Sequence, residues 1–357
     1  VNLRAGHETS TVTVDSESNK KNTLSTTKTT SHSEYSETNA VGTTISGKTA
    51  GIAAENILVS GSNVVSDKGT TLIAKNNVTI ENDYNTSAER HSESKTKTGW
   101  ISNGGASVTV GKQTQTLDTQ EVTKTAARST VGAVDGNVTI LGGGTYHQEG
   151  SDVLAPNGDI DIHAKTVEIV EARETGTYKE EQGFKQGGIT ASASAPIISA
   201  LQTADQMVDA SKRSGGDSRM TALAGATTVL AGKNAYDAIA ADPATAGGLN
   251  LSITVGGSKS QSETTVTADT AAGSNVAAGG NVRISATGGG DASDITIQGS
   301  NVSSGKNVHL KADDAINVLA AKNTTEIQSD SSSFGAGVGV AVKVGSGGTA
   351  AGITAHA

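Results

Sequence analysis

The chain has no cysteine, which excludes a disulfide framework and every thiolate metal site and leaves the compartment open. Aromatics make up 2% of its 357 residues, with two Phe and one Trp, so there is little material for a large compact core. The aromatic platforms that carbohydrate-cleaving grooves need are missing too: Tyr146, Tyr178 and Trp100 are too few and too far apart. No run of 18 apolar residues occurs, so the sequence holds no transmembrane helix. Lys and Arg number 27 against 36 Asp and Glu, a net charge of −9, and the dispersed cations lack interleaved aromatics, which argues against nucleic acid as a partner. The opening VNLRAG has neither an initiator Met nor a charged-then-apolar leader, and the chain stops mid-phrase at GITAHA; both features read as a piece of a longer protein.

What is present is a repeat. Gly61-Ser-Asn-Val64, Gly150-Ser-Asp-Val153, Gly273-Ser-Asn-Val276 and Gly299-Ser-Asn-Val302 are each followed by a turn, alternating apolar residues and a closing alanine. Three copies put that alanine 13 residues after the glycine (Ala74, Ala286, Ala312), and the copy at Gly150 puts Ala164 at 14, a slip explained by one residue inserted at Pro156-Asn157-Gly158. Val, Ile and Leu fall at period 2 in blocks at 41–81, 134–172 and 268–322, separated by Gly, Asn or Asp. Short strands with such corners, a narrow core and fixed repeats suit a right-handed parallel β-helix. The candidate repeat turns are Gly61, Asn63, Gly150, Asp152, Gly273, Asn275, Gly299 and Asn301, with the three asparagines suited to left-handed backbone and to stacking in ladders.

Three other textures interrupt the blocks. The Ser/Thr-rich stretches 15–39 and 83–100 have the β-branched content of projecting hairpins. Gly-rich alternation occurs at 104–116, 187–195, 247–256 and 335–345; in the last, Val338, Val340, Val342 and Val344 share one face, opposite Gly337, Gly339, Ala341 and Lys343. The plain expectation is a half-buried strand packed on the solenoid, and the sharper one a strand that associates with a membrane, as dyad alternation does in membrane barrels. Residues 196–242, from Pro196 to the stop before Pro243, space apolar residues at helical intervals on both sides of Gly215-Gly216 and predict a small inserted α-helical hairpin. The expected division is 1–195 (rungs with polar hairpins), 196–242 (helical hairpin) and 243–357 (rungs and Gly-rich strands).

Motifs for chemistry are weak. GSNVSSGK, 299–306, has five residues between its glycines where a phosphate loop has four, and Asn307 where Ser or Thr belongs. In GGGDASDI, Asp291 replaces a glycine that calcium β-rolls require. The seven histidines have no ligand spacing, and Glu168, Glu171 and Glu174 read as a charged outer face, with no acid pair for a glycosidase visible. No catalytic residue, metal ligand or cofactor is expected.

The segments 136–169, 216–241 and 293–326 resemble the second haemagglutinin-repeat region of filamentous haemagglutinin-type exoproteins of two-partner secretion, including contact-dependent growth inhibition effectors. The resemblance implies a non-catalytic part of a β-helical filament on the bacterial cell surface, secreted through an outer-membrane partner. It further implies a toxin domain following in the same chain, and association of this region with the target cell's outer membrane to help that toxin cross. If any segment enters a bilayer, the four Gly-rich alternating segments are the expected ones. The alternative is a structural shaft or adhesin, and self-association is a further candidate interaction.

Overall fold

A computed structural model describes residues 1–103, 106–194, 249–345 and 348–356. After β1 (Asn2–Arg4) the chain leaves as a long hairpin, β2 (Gly6–Lys21) and β3 (Ser25–Val41), and returns to make two turns of three short strands. These are β4 (Thr44–Gly47), β5 (Ala50–Ala54) and β6 (Ile57–Ser60), then β7 (Asn63–Ser66), β8 (Gly69–Ala74) and β9 (Val78–Glu81). A second hairpin follows, β10 (Asp83–Ser102) and β11 (Ser107–Ala127), and two more turns: β12 (Thr130–Ala133), β13 (Asn137–Gly142), β14 (Thr145–Glu149), β15 (Asp152–Ala155), β16 (Ile160–Ala164) and β17 (Thr166–Val170). The third excursion is β18 (Ala172–Ser194) and β19 (Leu249–Ala272), followed by β20 (Asn275–Ala278), β21 (Val282–Ala286), β22 (Ile295–Gln298), β23 (Asn301–Ser304), β24 (Val308–Ala312) and β25 (Ile316–Leu319). The chain then departs a last time as β26 (Thr324–Gly345) and β27 (Gly348–His356).

The short strands stack in parallel into three sheets of seven, six and six strands, the walls of a parallel β-helix. The long strands form a fourth, eight-stranded sheet, antiparallel throughout, in the order β2-β3-β10-β11-β18-β19-β26-β27. The expected solenoid with projecting hairpins is therefore observed. The helical hairpin expected at 196–242 lies outside the described residues.

The repeat phrase maps onto one corner of this helix. Val64, Val131, Val153 and Val276 are paired in one column and fully buried, because the second residue of each strand points inward. The closing alanines also share a column at another corner, Ala54 beside Ala74 and Ala164, Ala286 and Ala312 in succession. Ser62, Ser129, Ser151 and Ser274 of these phrases are buried, Ser300 is half-buried, and together they carry the rungs on one another. Ser62 N–H donates to Ser129 Oγ (3.1 Å), Ser151 N–H to Ser274 Oγ (3.2 Å) and Ser274 N–H to Ser300 Oγ (3.0 Å). Ser129 and Ser274 each donate onward to a backbone carbonyl, Glu81 O at 2.6 Å and Val170 O at 2.7 Å. A short hydroxyl at this corner satisfies buried amides that no sheet ladder reaches.

The left-handed backbone sits on glycine rather than on the asparagines. Gly61, Gly150 and Gly299 have φ of 54°, 51° and 56°, and no described non-glycine residue has positive φ. Asn63, Asn275 and Asn301 instead begin strands, in the extended conformation that ladder pairing requires; Asn275 is paired with Asn301, and Asn63 Nδ2 donates to Thr44 Oγ1 at 3.4 Å. Two copies of the phrase escaped sequence comparison, Gly42-Thr43-Thr44-Ile45 and Arg128-Ser129-Thr130-Val131, because only the fold aligns them. The Arg128 copy explains why Asp152 replaces Asn. Arg128 Nε and Nη2 donate to Asp152 Oδ2 and Oδ1 at 2.9 and 2.6 Å, and Nη2 also to Gly273 O at 2.9 Å. That bidentate pair, chiefly its hydrogen bonds, raises the Arg128 pKa further.

Candidate functional site

The hairpins leave the solenoid at the same corner after every second turn, following β1, β9, β17 and β25. The alternate turns pass straight on through Gly61, Gly150 and Gly299. Two rungs rise about 9.6 Å, and a two-stranded hairpin occupies the same about 9.6 Å in a sheet, so this spacing lets successive hairpins pair into one continuous sheet. The straight-through corners are squeezed between hairpin stems: a Cβ at Gly61 would lie 2.6 Å from Asp83 Cβ, and one at Gly150 only 2.4 Å from Ala172 Cβ.

The first three hairpins lengthen along the chain. β2 and β3 have 16 and 17 residues, β10 and β11 have 20 and 21, and β18 and β19 have 23 and 24. The later strands therefore extend past the first hairpin and form a tip of their own, beginning at a row of glycines. Gly99, Gly111, Gly188, Gly256 and Gly337 stand opposite one another on five adjacent strands. Neighbouring carbonyls lie where side chains would be: a Cβ at Gly188 would be 2.4 Å from Val110 O, and one at Gly256 2.4 Å from Ala336 O. Only glycine permits that approach.

Beyond this row one face of the sheet is apolar and open. Trp100, Val110, Ile189, Val255 and Val338 form one cross-strand row. Val108, Ala191, Ile253, Val340 and Ile353 form the next row on that face. Trp100 is 51% exposed, Ile253 61%, Val338 62% and Ile353 89%. The opposite face carries Thr109, Thr190, Thr254 and Gly339, where Thr109 is buried and accepts hydrogen bonds from Asn103 Nδ2 (2.7 Å) and Gln186 Nε2 (3.0 Å).

This placement corrects the plain expectation for the valine strand. Val338 and Val340 do not pack on the solenoid; β26 pairs with β19 and β27 and turns them to solvent, while Val342 is half-buried and Val344 is paired with Leu249 and Thr349. The strand extends the hairpin sheet instead of returning to the rungs, so among the described residues nothing covers it. The four Gly-rich segments, scattered over more than 200 positions, become the adjacent strands β11, β18, β19 and β26 in their described parts. The sequence does not announce the contributions of Trp100 and of β27, whose one signal is a lone isoleucine, Ile353, in a Gly/Ala background.

Charged constellations also assemble only in three dimensions. Asp118, Glu181, Glu263 and Asp330 form a single cross-strand row, a carboxylate arrangement that spacing along the chain does not show. Arg90 lies 3.3 Å from Asp118, Lys179 is 2.9 Å from Glu263, and Gln261 Nε2 donates to Glu181 at 2.8 Å. These partners make the row a solvated charge ladder that offsets repulsion between like neighbours. Histidines likewise gain carboxylates: His32 Nδ1 contacts Asp15 at 2.6 Å, and His147 lies between Glu149 (3.6 Å) and Glu168 (2.9 Å). Bonds to Glu149 and then Glu168 raise the His147 pKa against a desolvation penalty of opposite sign. Among the described residues no group of three or more His, Cys, Asp or Glu is arranged to hold a metal ion.

A solenoid with commensurate hairpins is a repeat architecture, and the comparison with known families agrees. The model described as "Hemagglutinin repeat" matches residues 24–188 and 255–357. This chain belongs to the hemagglutinin repeat family. The interval between the two matched parts of this hemagglutinin repeat region contains residues 195–248, which lie outside the described ones. Among curated proteins the region is 34% identical to the tRNA nuclease CdiA of Escherichia coli strain STEC_O31 over 318 residues, 86% of this chain and 10% of the relative. It is also 34% identical to the 16S rRNA endonuclease CdiA of Enterobacter cloacae subsp. cloacae, over 86% of this chain and 9% of the relative. The deoxyribonuclease CdiA of Yersinia pseudotuberculosis serotype O:3 (strain YPIII) is 32% identical over 82% of this chain and 28% of its own length. The chain thus spans about a tenth of the length of the first relatives it matches, and the stretch it shares with them is haemagglutinin repeat.

Proposed function

We propose that this chain is a non-catalytic repeat region of a secreted contact-dependent inhibition effector. In this reading it associates with the target cell's outer membrane and helps a toxin domain, located C-terminally in the same protein, to cross. Similarity to nuclease-bearing CdiA proteins supports the placement in a toxin-delivering chain, exported to the cell surface with an outer-membrane secretion partner. The observation that carries the membrane reading is the open apolar face at the tip of the hairpin sheet, centred on Val255, Val338 and Val340. A contiguous exposed patch of this kind marks an interaction surface, and a closed or fully paired assembly of strands satisfies backbone groups in lipid. The rigid stack of rungs favours a second reading, a structural shaft or adhesin, in which the hairpin sheet only stiffens the filament.

Flotation separates the two. The fragment is mixed with outer-membrane vesicles and floated on a density gradient, alongside Val338→Asp/Val340→Asp. Two charges on an exposed face leave the core intact, so both proteins should show the same cooperative β-rich unfolding. Wild type rising with the vesicles while the variant stays at the bottom supports association through the tip. Neither protein rising leaves the shaft as the better description.

A further inference from the structure

The lysines of the hairpin sheet are not spread along it. Four consecutive cross-strand rows just below the glycine row contain Lys21, Lys28, Lys112, Lys185 and Lys259 on the same face as the apolar tip, and no Asp or Glu on either face. Lys20, Lys95 and Lys97 lie in the same rows on the reverse face. On the tip's face the five lysines are exposed, and the 68% exposed Phe334 stands in register with Lys259. Lys28 is held by Glu17 at 2.8 Å, from the row immediately below the belt. Further towards the solenoid the sign reverses at the Asp118, Glu181, Glu263 and Asp330 row. A chain of net charge −9 has therefore collected a purely basic belt against an exposed apolar surface.

We infer that the tip docks face-down on an anionic lipid surface, with the apolar rows entering the headgroup boundary and the lysine belt pairing with headgroup phosphates. The inference rests on the membrane-association reading above and names the lipid chemistry that this surface fits. The rows match the layers of an interface: aliphatic residues outermost with Trp100 in the inner apolar row, then the glycine row, then lysines, with Phe334 beside Lys259, whose methylene stems can lie on apolar surface while the ammonium groups reach polar atoms. An open sheet with two unclosed edges and one apolar face lies in the boundary and does not span it, because its edge amides and carbonyls would be unpaired in the hydrocarbon. A second copy of this chain is a poorer occupant, because stacking two such faces would bring two belts of like charge together.

The test uses the full fragment and sedimentation with vesicles of phosphatidylcholine alone or phosphatidylcholine mixed with phosphatidylglycerol. Each juxtaposed lysine strengthens partitioning onto the anionic vesicles by about fivefold. Lys112→Gln/Lys185→Gln/Lys259→Gln should therefore weaken binding by about a hundredfold, and raised salt should weaken the wild type. Equal binding to both vesicle types, unaffected by the triple variant, overturns the headgroup inference and leaves membrane association standing. Binding to outer-membrane vesicles but to neither synthetic vesicle also overturns it, by assigning the surface to a component other than phospholipid headgroups. Failure on all three membranes overturns the underlying reading as well. A lipid-free dimer abolished by Val338→Asp would assign the face to a second copy and overturn the inference in a different way.

Discussion

Replacing Gly150 with alanine should damage the solenoid far more than its single methyl group suggests. Gly150 makes the straight-through corner between β14 and β15 with φ of 51°. An L-residue held there costs about 1–2 kcal/mol. The added Cβ would also stand 2.4 Å from Ala172 Cβ and 2.7 Å from Asn82 Oδ1, in a corner closed by two hairpin stems, and forcing such a contact costs about 1–3 kcal/mol. Alanine restricts the unfolded chain and returns about 0.4–1 kcal/mol, so the net loss is about 1–5 kcal/mol. The internal control is Gly176→Ala near the start of β18, where φ is not positive and nothing lies within 4 Å of the added atom. That change should be neutral or stabilising by up to about 1 kcal/mol. Urea unfolding followed by circular dichroism compares the two. Equal midpoints for Gly150→Ala and Gly176→Ala would refute the claim that the corners are left-handed and sandwiched between hairpins.

Ser274→Ala removes the acceptor for the buried Ser151 N–H but leaves Val170 O with its bond from Gly150 N–H, so about 1–3 kcal/mol should be lost; Ser274→Thr should retain most of it, as Thr43 holds the same place in the first turn. Asp152→Ala strips the partly buried Arg128 of its bidentate partner and should cost about 1 kcal/mol after allowing for screening, read as a lowered urea midpoint, whereas Asp135→Ala, which unpairs the exposed Lys68, should change it little. His147 is bound by Glu149 and Glu168 in a way that raises its pKa in the fold, so its ion pairs contribute below the ordinary histidine value of 6.5 and are lost as pH rises through the raised value. The melting temperature of wild type should therefore exceed that of His147→Gln most at pH about 5.5 and converge with it in alkaline solution; a difference that grows with pH would contradict the assignment.

The solenoid was legible because its rules are local and repeated. A strand that must bury its second residue and close on an alanine writes Ser-Asn-Val or Ser-Asp-Val and a final Ala in four turns, so the spacing alone assigns Val64, Val153 and Val276 to one column. Corners are half legible: the sequence shows the glycine, but it offers the asparagines equally as left-handed residues, and their tolerance for that backbone is real yet unused here. The tip could not be read, for a reason of topology. Val110, Ile189, Val255 and Val338 come from four strands whose alignment depends on two hairpin lengths and on the rung spacing, so no window of sequence holds them together. The same non-local register hides the lysine belt, because along the chain its cations alternate with Ser, Thr and Gln and look dispersed.

Trp100 is the chain's single tryptophan, and it stands half-exposed in the first apolar row of the tip. Its fluorescence therefore reports on the one surface that the functional account depends on. On adding outer-membrane vesicles, the account predicts a blue-shifted emission and reduced quenching by aqueous acrylamide, both absent in Val338→Asp/Val340→Asp. Emission and quenching that stay unchanged while the protein floats with the vesicles would show that another surface makes the contact, and would contradict the central claim.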